Sequence, residues 1–245
     1  GGLVLQVSGF QFHIDPGPGA LVRARQFNVN PRENTAVFVT HNHLSHCNDV
    51  NAIIEAMTHA GEDKRGILAC NKTLYNGHEG FEPYLSKYHR DCLERSIVLS
   101  NGQKVGIEDV EVHAIKAVHS DPNTIGLKFI TPEFTLAYSS DTKFDKSILE
   151  GYKKVDILVL NNVYPFSIKN NNNLNSEDTT KIINLVKPKL VVIQHFGIKM
   201  LTSDPLYEAR EIKKKTDVPV IAAKDGMAIN PVTFSSSICQ RAFDV

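Results

Sequence analysis

Two stretches of this chain carry a branched aliphatic residue at four consecutive positions, Ile157-Leu158-Val159-Leu160 and Leu190-Val191-Val192-Ile193. A strand without polar alternates has no solvent face, so these runs call for a sheet covered on both sides. They read as strands over 156–160 and 190–193. Further β-rich runs read as strands at 10–14, 35–39, 111–115, 125–130 and 134–138. Between them lie helical patterns at 49–59, 145–152, 177–186 and 205–215. Ser176, ahead of Thr179 and apolar Ile182, Ile183 and Val186, predicts a capped helix start. Pro205 in a first turn and Lys213, Lys214 and Lys215 in a last turn suit the helix macrodipole. The alternation predicts an α/β chain, one domain over 1–245, with two sheets face to face and helices outside.

The balance of charge narrows the partners. Twenty-seven basic residues meet 27 acidic ones, which argues against a general polyanion binder and against strong nucleic-acid binding. No apolar run approaches the ~20 residues that a membrane span needs. The opening Gly1-Gly2-Leu3-Val4-Leu5-Gln6-Val7 lacks the basic start and cleavage site of a secretory signal. It also lacks an initiator Met, so the sequence is expected to begin partway in. Cys47, Cys70, Cys92 and Cys239 are scattered with no C-x-x-C pair, which points to reduced thiols and a cytoplasmic home. Asp15-Pro-Gly-Pro-Gly19 reads as a rigid turn, and the Asn-rich tract 169–175 as a solvated surface loop.

The chemistry concentrates after the strand at 35–39, in Thr40-His41-Asn42-His43-Leu44-Ser45-His46-Cys47-Asn48-Asp49. Residues two apart point the same way on an extended chain, so His41 and His43 can converge on one ion. His46, where the backbone turns toward a helix, can address a neighbouring point. Imidazoles at a strand end suit Zn²⁺ and similar divalent metals. His119, Asp141 and His195 each follow another predicted strand. Strand ends on one side of a sheet lie close in space. Five histidines and one carboxylate are enough for two adjacent cations sharing Asp141. Cys47 is expected to pack inside, and His13, His59, His78, His89 and His113 to be structural or exposed.

The ordered set His41-x-His43-x-Ser45-His46, His119, Asp141, His195 resembles the metallo-β-lactamase superfamily and its motif H-x-H-x-D-H. The likeness runs from Phe12-His-Ile-Asp-Pro-Gly-Pro-Gly19 to Ala223-Lys-Asp-Gly-Met227. Within the superfamily, Tyr138-Ser-Ser-Asp-Thr142, Lys187–Gly197 and Asp225-Gly-Met227 are most similar to the ribonuclease Z-like and cyclic-phosphodiesterase branch. The resemblance implies an αββα sandwich of two mixed β-sheets flanked by helices. It also implies His41, His43 and His119 on one metal, His46 and His195 on a second, and Asp141 between them. Zn²⁺ is the expected ion, one or two per chain, with Mn²⁺ or Fe²⁺ as alternatives.

Two departures stand out. Ser45 occupies the position of the motif Asp, and a neutral hydroxyl is a poorer ligand for a divalent ion, so the second site is expected to fill weakly. Several relatives place a His just before the helix at 176–186, where this chain reads Asn172-Asn173-Leu174-Asn175. The family's first strand is expected to be missing or truncated ahead of Gly1-Gly2.

The expected activity is metal-dependent hydrolysis, in which a metal lowers the pKa of its water toward ~7. The substrate expected is a nucleotide or other small phosphodiester. Asp141 and Ser45 are read as catalytic, and Asn162 and Asn173 as beside the substrate. The alternatives are a degenerate metal- or ligand-binding member with little turnover, and a carbonyl-directed lactonase or thioesterase. A homodimer is implied by relatives of this kind.

Overall fold

The computed structural model describes residues 2–239, which fall into two compact units. Of the described residues, the first takes in those up to Ser100 and those from 237 to 239; the second is Asn101–Ser236.

The first unit is built on a five-stranded sheet in chain order: β1 (Leu3–Val7), β2 (Phe10–Ile14), β3 (Asn34–Val39), β4 (Ile67–Asn71) and β5 (Arg95–Leu99). β1 and β2 are antiparallel, joined at Ser8 and Gly9, both at positive φ, as a tight two-residue hairpin requires. The other neighbours are parallel. Helices α1 (Ala20–Gln26), α2 (Leu44–Cys47), α3 (Val50–Met57), α4 (Lys72–Asn76) and α5 (Lys87–Asp91) fill the connections. Val50, Ile53, Ile54 and Met57 recur at one-turn spacing, so α3 turns a single apolar stripe onto Val37, Val39, Leu68 and Cys70 of the sheet. Each such buried aliphatic side chain contributes about 1.5–3 kcal/mol relative to exposure.

The second unit carries β6 (Lys104–Ile107), β7 (Val110–Lys116), β8 (Ile125–Ile130), β9 (Thr135–Tyr138), β10 (Ile157–Tyr164), β11 (Leu174–Asn175), β12 (Leu190–Gln194) and β13 (Val220–Ala222). Its sheet runs β13-β12-β10-β9-β8-β7-β6, with β11 paired to β10. β6 to β9 form an antiparallel meander, whereas β9, β10, β12 and β13 are parallel. The continuous apolar runs are the two central parallel strands. Leu158, Leu160, Val191 and Ile193 pack on Ile182 and Ile183 of α7 (Ser176–Val186) and on Ala209 and Ile212 of α9 (Pro205–Thr216). The alternate positions Ile157, Val159, Leu190 and Val192 are buried too, as both-face burial requires. Register pairs Tyr138 with Val159 and Val159 with Val192. The residues following β9 and β12, with the far half of β10, therefore reach one edge of this sheet.

Some details depart from the sequence expectation. α7 is capped by Asn175, not Ser176: the Asn175 side chain accepts from the Asp178 amide at 2.8 Å while its own backbone is extended. Ser176 is the first helical residue. The helix expected at 145–152 is a 3₁₀ turn, Lys146–Ile148, continuing into α6 (Leu149–Tyr152), and Asp145 caps it through the Ser147 amide. α8 (Ile198–Thr202) follows β12. No helix among the described residues is long and apolar enough to cross a membrane.

Candidate metal centre

In the first unit, β3 delivers its last residues beside β2, and the Asp15 amide continues that pairing by donating to the Phe38 carbonyl at 2.8 Å. The chain then turns under Asp15, which sits at φ 49° and is buried. Its carboxylate accepts from the Thr40 amide and the Thr40 hydroxyl, both at 2.7 Å. It also accepts from His46 Nδ1 at 2.8 Å. A buried carboxylate accepts only, so the His46 proton sits on Nδ1 and Nε2 carries the lone pair. His41 Nε2 and His43 Nδ1 stand 3.1 Å apart. Nitrogen ligands at 2.0–2.1 Å from a tetrahedral ion stand about 3.3 Å from each other. The spacing fits two ligands of one ion.

Gly17 closes this arrangement. A Cβ built on it would lie 1.9 Å from the Ser45 carbonyl oxygen, so the Asp15–Gly19 turn packs backbone against backbone under α2. Ser45 itself is exposed on α2. Cys47 is fully buried, donates its thiol to the Asn42 carbonyl at 3.3 Å, and is pushed up to about 12 by burial and then by the Asp15 charge. It remains a protonated packing residue. His13 is also buried, and burial lowers it to about 4.

The second unit gathers the other three residues at its sheet edge. Asp141 Oδ2 lies 3.8 Å from His119 Nε2, and Oδ1 lies 3.7 Å from His195 Nε2. The two oxygens of one carboxylate thus face two different imidazoles. Asn161 on β10 donates to Asp141 Oδ1 at 2.7 Å and accepts from Gln194 at 3.1 Å, which fixes the carboxylate plane. His119 Nδ1 meets the Asn172 carbonyl at 3.2 Å. A carbonyl only accepts, so here too the proton lies on Nδ1 and the lone pair on Nε2. Ser140 and His195 both hold positive φ, at 56° and 60°, where the chain bends sharply out of the sheet on either side of these ligands.

Asn162 is fully buried, and its amide is engaged inside the unit: Nδ2 donates to Ser176 Oγ at 3.1 Å and Oδ1 accepts from Thr179 Oγ1 at 3.1 Å. It ties β10 to the first turn of α7. Its neighbour Asn161, which sequence reasoning passed over, is the one that reaches Asp141. Asn173 donates its backbone amide to Asn170 Oδ1 at 2.9 Å. The sequence places Asp15 only in a turn; its one signal is a carboxylate at a strand end ahead of Pro-Gly-Pro-Gly.

Both units thus present imidazoles whose outward nitrogen is set by an acceptor behind the ring, the arrangement expected of metal-ligating histidines. Residues 11–196 match the family described as the beta-lactamase superfamily domain, and the chain belongs to that family. An uncharacterized protein of Methanocaldococcus jannaschii is 33% identical over 231 residues, covering 94% of this chain and 86% of that protein. The metallo-beta-lactamase fold protein YhfI from Bacillus subtilis has a TM-score of 0.78 at 16% identity, over 92% of this chain and 88% of that one. A diphosphatase from the PhnP family gives 0.69 at 17% identity, over 91% and 81% of the two chains. Likeness at that identity establishes the fold: this is the mixed α/β metallo-β-lactamase fold that the histidine pattern implied.

Proposed function

We propose that the protein is a metal-dependent phosphodiesterase for a nucleotide or other small phosphodiester, with Zn²⁺ as the favoured ion. In this reading, as the family resemblance implies, His41, His43 and His119 would hold one cation, His46 and His195 a second, and Asp141 would serve both. The observation that carries the reading is the two-sided Asp141 carboxylate, with His119 on one oxygen and His195 on the other. Divalent cations, when bound, supply an acidified water and neutralise charge developing on substrate oxygens. The chain's own part is to hold that charge in place. Asp141 balances both ions, Asn161 keeps its plane, and Asp15 and the Asn172 carbonyl set which nitrogen His46 and His119 present.

The likeness to a diphosphatase supports a substrate attacked at phosphorus over one attacked at a carbonyl, and the balanced charge favours a small molecule over a long polyanion. The assay is metal content of the purified protein together with turnover of bis-p-nitrophenyl phosphate and cyclic nucleotides in added Zn²⁺ or Mn²⁺. Bound metal with turnover lost in His43→Ala supports the enzyme. Turnover confined to lactones or thioesters would overturn it. Ser45 favours a second reading, a member with a weak second site and little turnover. Ser45→Asp separates the two: it raises occupancy and turnover together if the second cation is limiting, and changes neither if it is not.

A further inference from the structure

The tract Lys169-Asn170-Asn171-Asn172-Asn173-Leu174-Asn175 has the composition of a solvated linker. Its hydrogen bonds show a built loop. Asn170 Oδ1 accepts from the Asn172 amide at 2.7 Å and the Asn173 amide at 2.9 Å, an Asx turn closed by one side chain. Leu174 pairs with Asn162 of β10. Asn175 donates to the Ile168 carbonyl at 2.7 Å and caps α7 through the Asp178 amide. The segment is therefore tied to the sheet on one side and the helix on the other. What it holds up is the Asn172 carbonyl, aimed at His119 Nδ1.

We infer that this loop is a positioning device for the metal ligand His119, with Asn170 as the residue that sets it. This rests on the metal reading above, and it adds a role for a segment outside the ligand motif. Neutral imidazole in water favours the proton on Nε2, the nitrogen that would have to ligate; a fixed acceptor at Nδ1 reverses that choice. Partners of this kind behind a ligating imidazole typically change metal affinity about 10–100-fold when removed. Asn170 is half-buried and lies outside the apolar cores, and its side-chain oxygen serves the Asn172 and Asn173 amides. Its replacement should therefore act through the Asn172 carbonyl.

The test pairs Asn170→Ala with Asn170→Asp, which keeps the acceptor oxygen. The first readout needs no metal: the nitrogen chemical shifts of His119 in the metal-free protein at pH 8, assigned with His119→Gln. Wild type and Asn170→Asp should show the proton on Nδ1, and Asn170→Ala should move it toward Nε2. The second is the rate of Zn²⁺ release to a chromogenic chelator, expected about tenfold faster in Asn170→Ala and restored in Asn170→Asp. An unchanged His119 tautomer in Asn170→Ala overturns the inference, as does wild-type release of Zn²⁺ from that variant. A wild-type protein that takes up no metal would instead sink the proposed function, leaving the tautomer measurement to decide the loop's role.

Discussion

Asp15→Asn tests the geometry behind the metal centre with the smallest change in shape. The carboxylate accepts from His46 Nδ1 at 2.8 Å and from two donors on one residue, the Thr40 amide and the Thr40 hydroxyl, at 2.7 Å each. The Thr40 backbone N–H can only donate, so the amide oxygen of an asparagine must stay at Oδ1. That places its NH₂ at Oδ2, where the Thr40 hydroxyl can turn to accept but the proton on His46 Nδ1 meets another donor. With the carboxylate gone, the bond to His46 is at best a neutral one, a loss of about 1 kcal/mol of folding stability. The larger effect falls on the metal. His46 relieves the clash by moving its proton to Nε2, the nitrogen assigned to the second cation. Zn²⁺ affinity of that site should then fall about 10–100-fold, the range for a lost partner behind a ligating histidine. Calorimetric titration of metal-free protein, with urea unfolding of the same sample, reads both quantities. If Asp15→Asn binds its full complement of Zn²⁺ at wild-type affinity, then Asp15 does not set the His46 tautomer and the reasoning fails.

Other consequences follow from the same contacts. Gly17→Ala drives a methyl into the Ser45 carbonyl and should lose about 1–3 kcal/mol or more in urea unfolding, with Gly106→Ala, at an exposed strand position with open space for the methyl, as the control for local disturbance. Burial keeps His13 neutral in the fold, down to about 4, against 6.5 when unfolded. The unfolded chain thus takes up a proton that the folded one refuses, and stability should fall as pH drops from 6.5 to about 4 and level off below. The full span is about 3 kcal/mol, and His13→Leu should flatten it in metal-free protein, since the buried Nδ1 has no hydrogen-bond partner to lose. Lys187 ends α7 with φ 53°, exposed and followed by Pro188. Lys187→Gly removes the left-handed penalty there and should raise stability by about 1 kcal/mol in thermal unfolding.

The parts of the fold open to sequence reasoning were those where one physical demand dominates. The apolar runs 157–160 and 190–193 could only be strands buried on both faces, and α3, α7 and α9 carry stripes or charges that name their helices. β5 carries no such signal: its burial is partial and uneven, and nothing in Arg95–Leu99 alternates cleanly. β10 runs on through Asn161 and Asn162 because their amides are satisfied internally, by Asp141, Tyr138 and Gln194 for the first and Ser176 and Thr179 for the second. Hydropathy cannot distinguish a satisfied buried amide from a loop. The site divides the same way. His41, His43 and His46 announce themselves because spacing on a single strand end aligns them. Asp15 stands 31 residues from His46, and only the parallel pairing of β2 with β3 brings it behind that ring. The Asn172 carbonyl is harder still, because a backbone oxygen leaves no trace in composition. Residues that would carry the chemistry are visible as residue types, whereas the groups that aim them exist only after strands have paired. A single substitution at Asp15 or Asn170 should therefore disturb metal binding while every ligand remains in place.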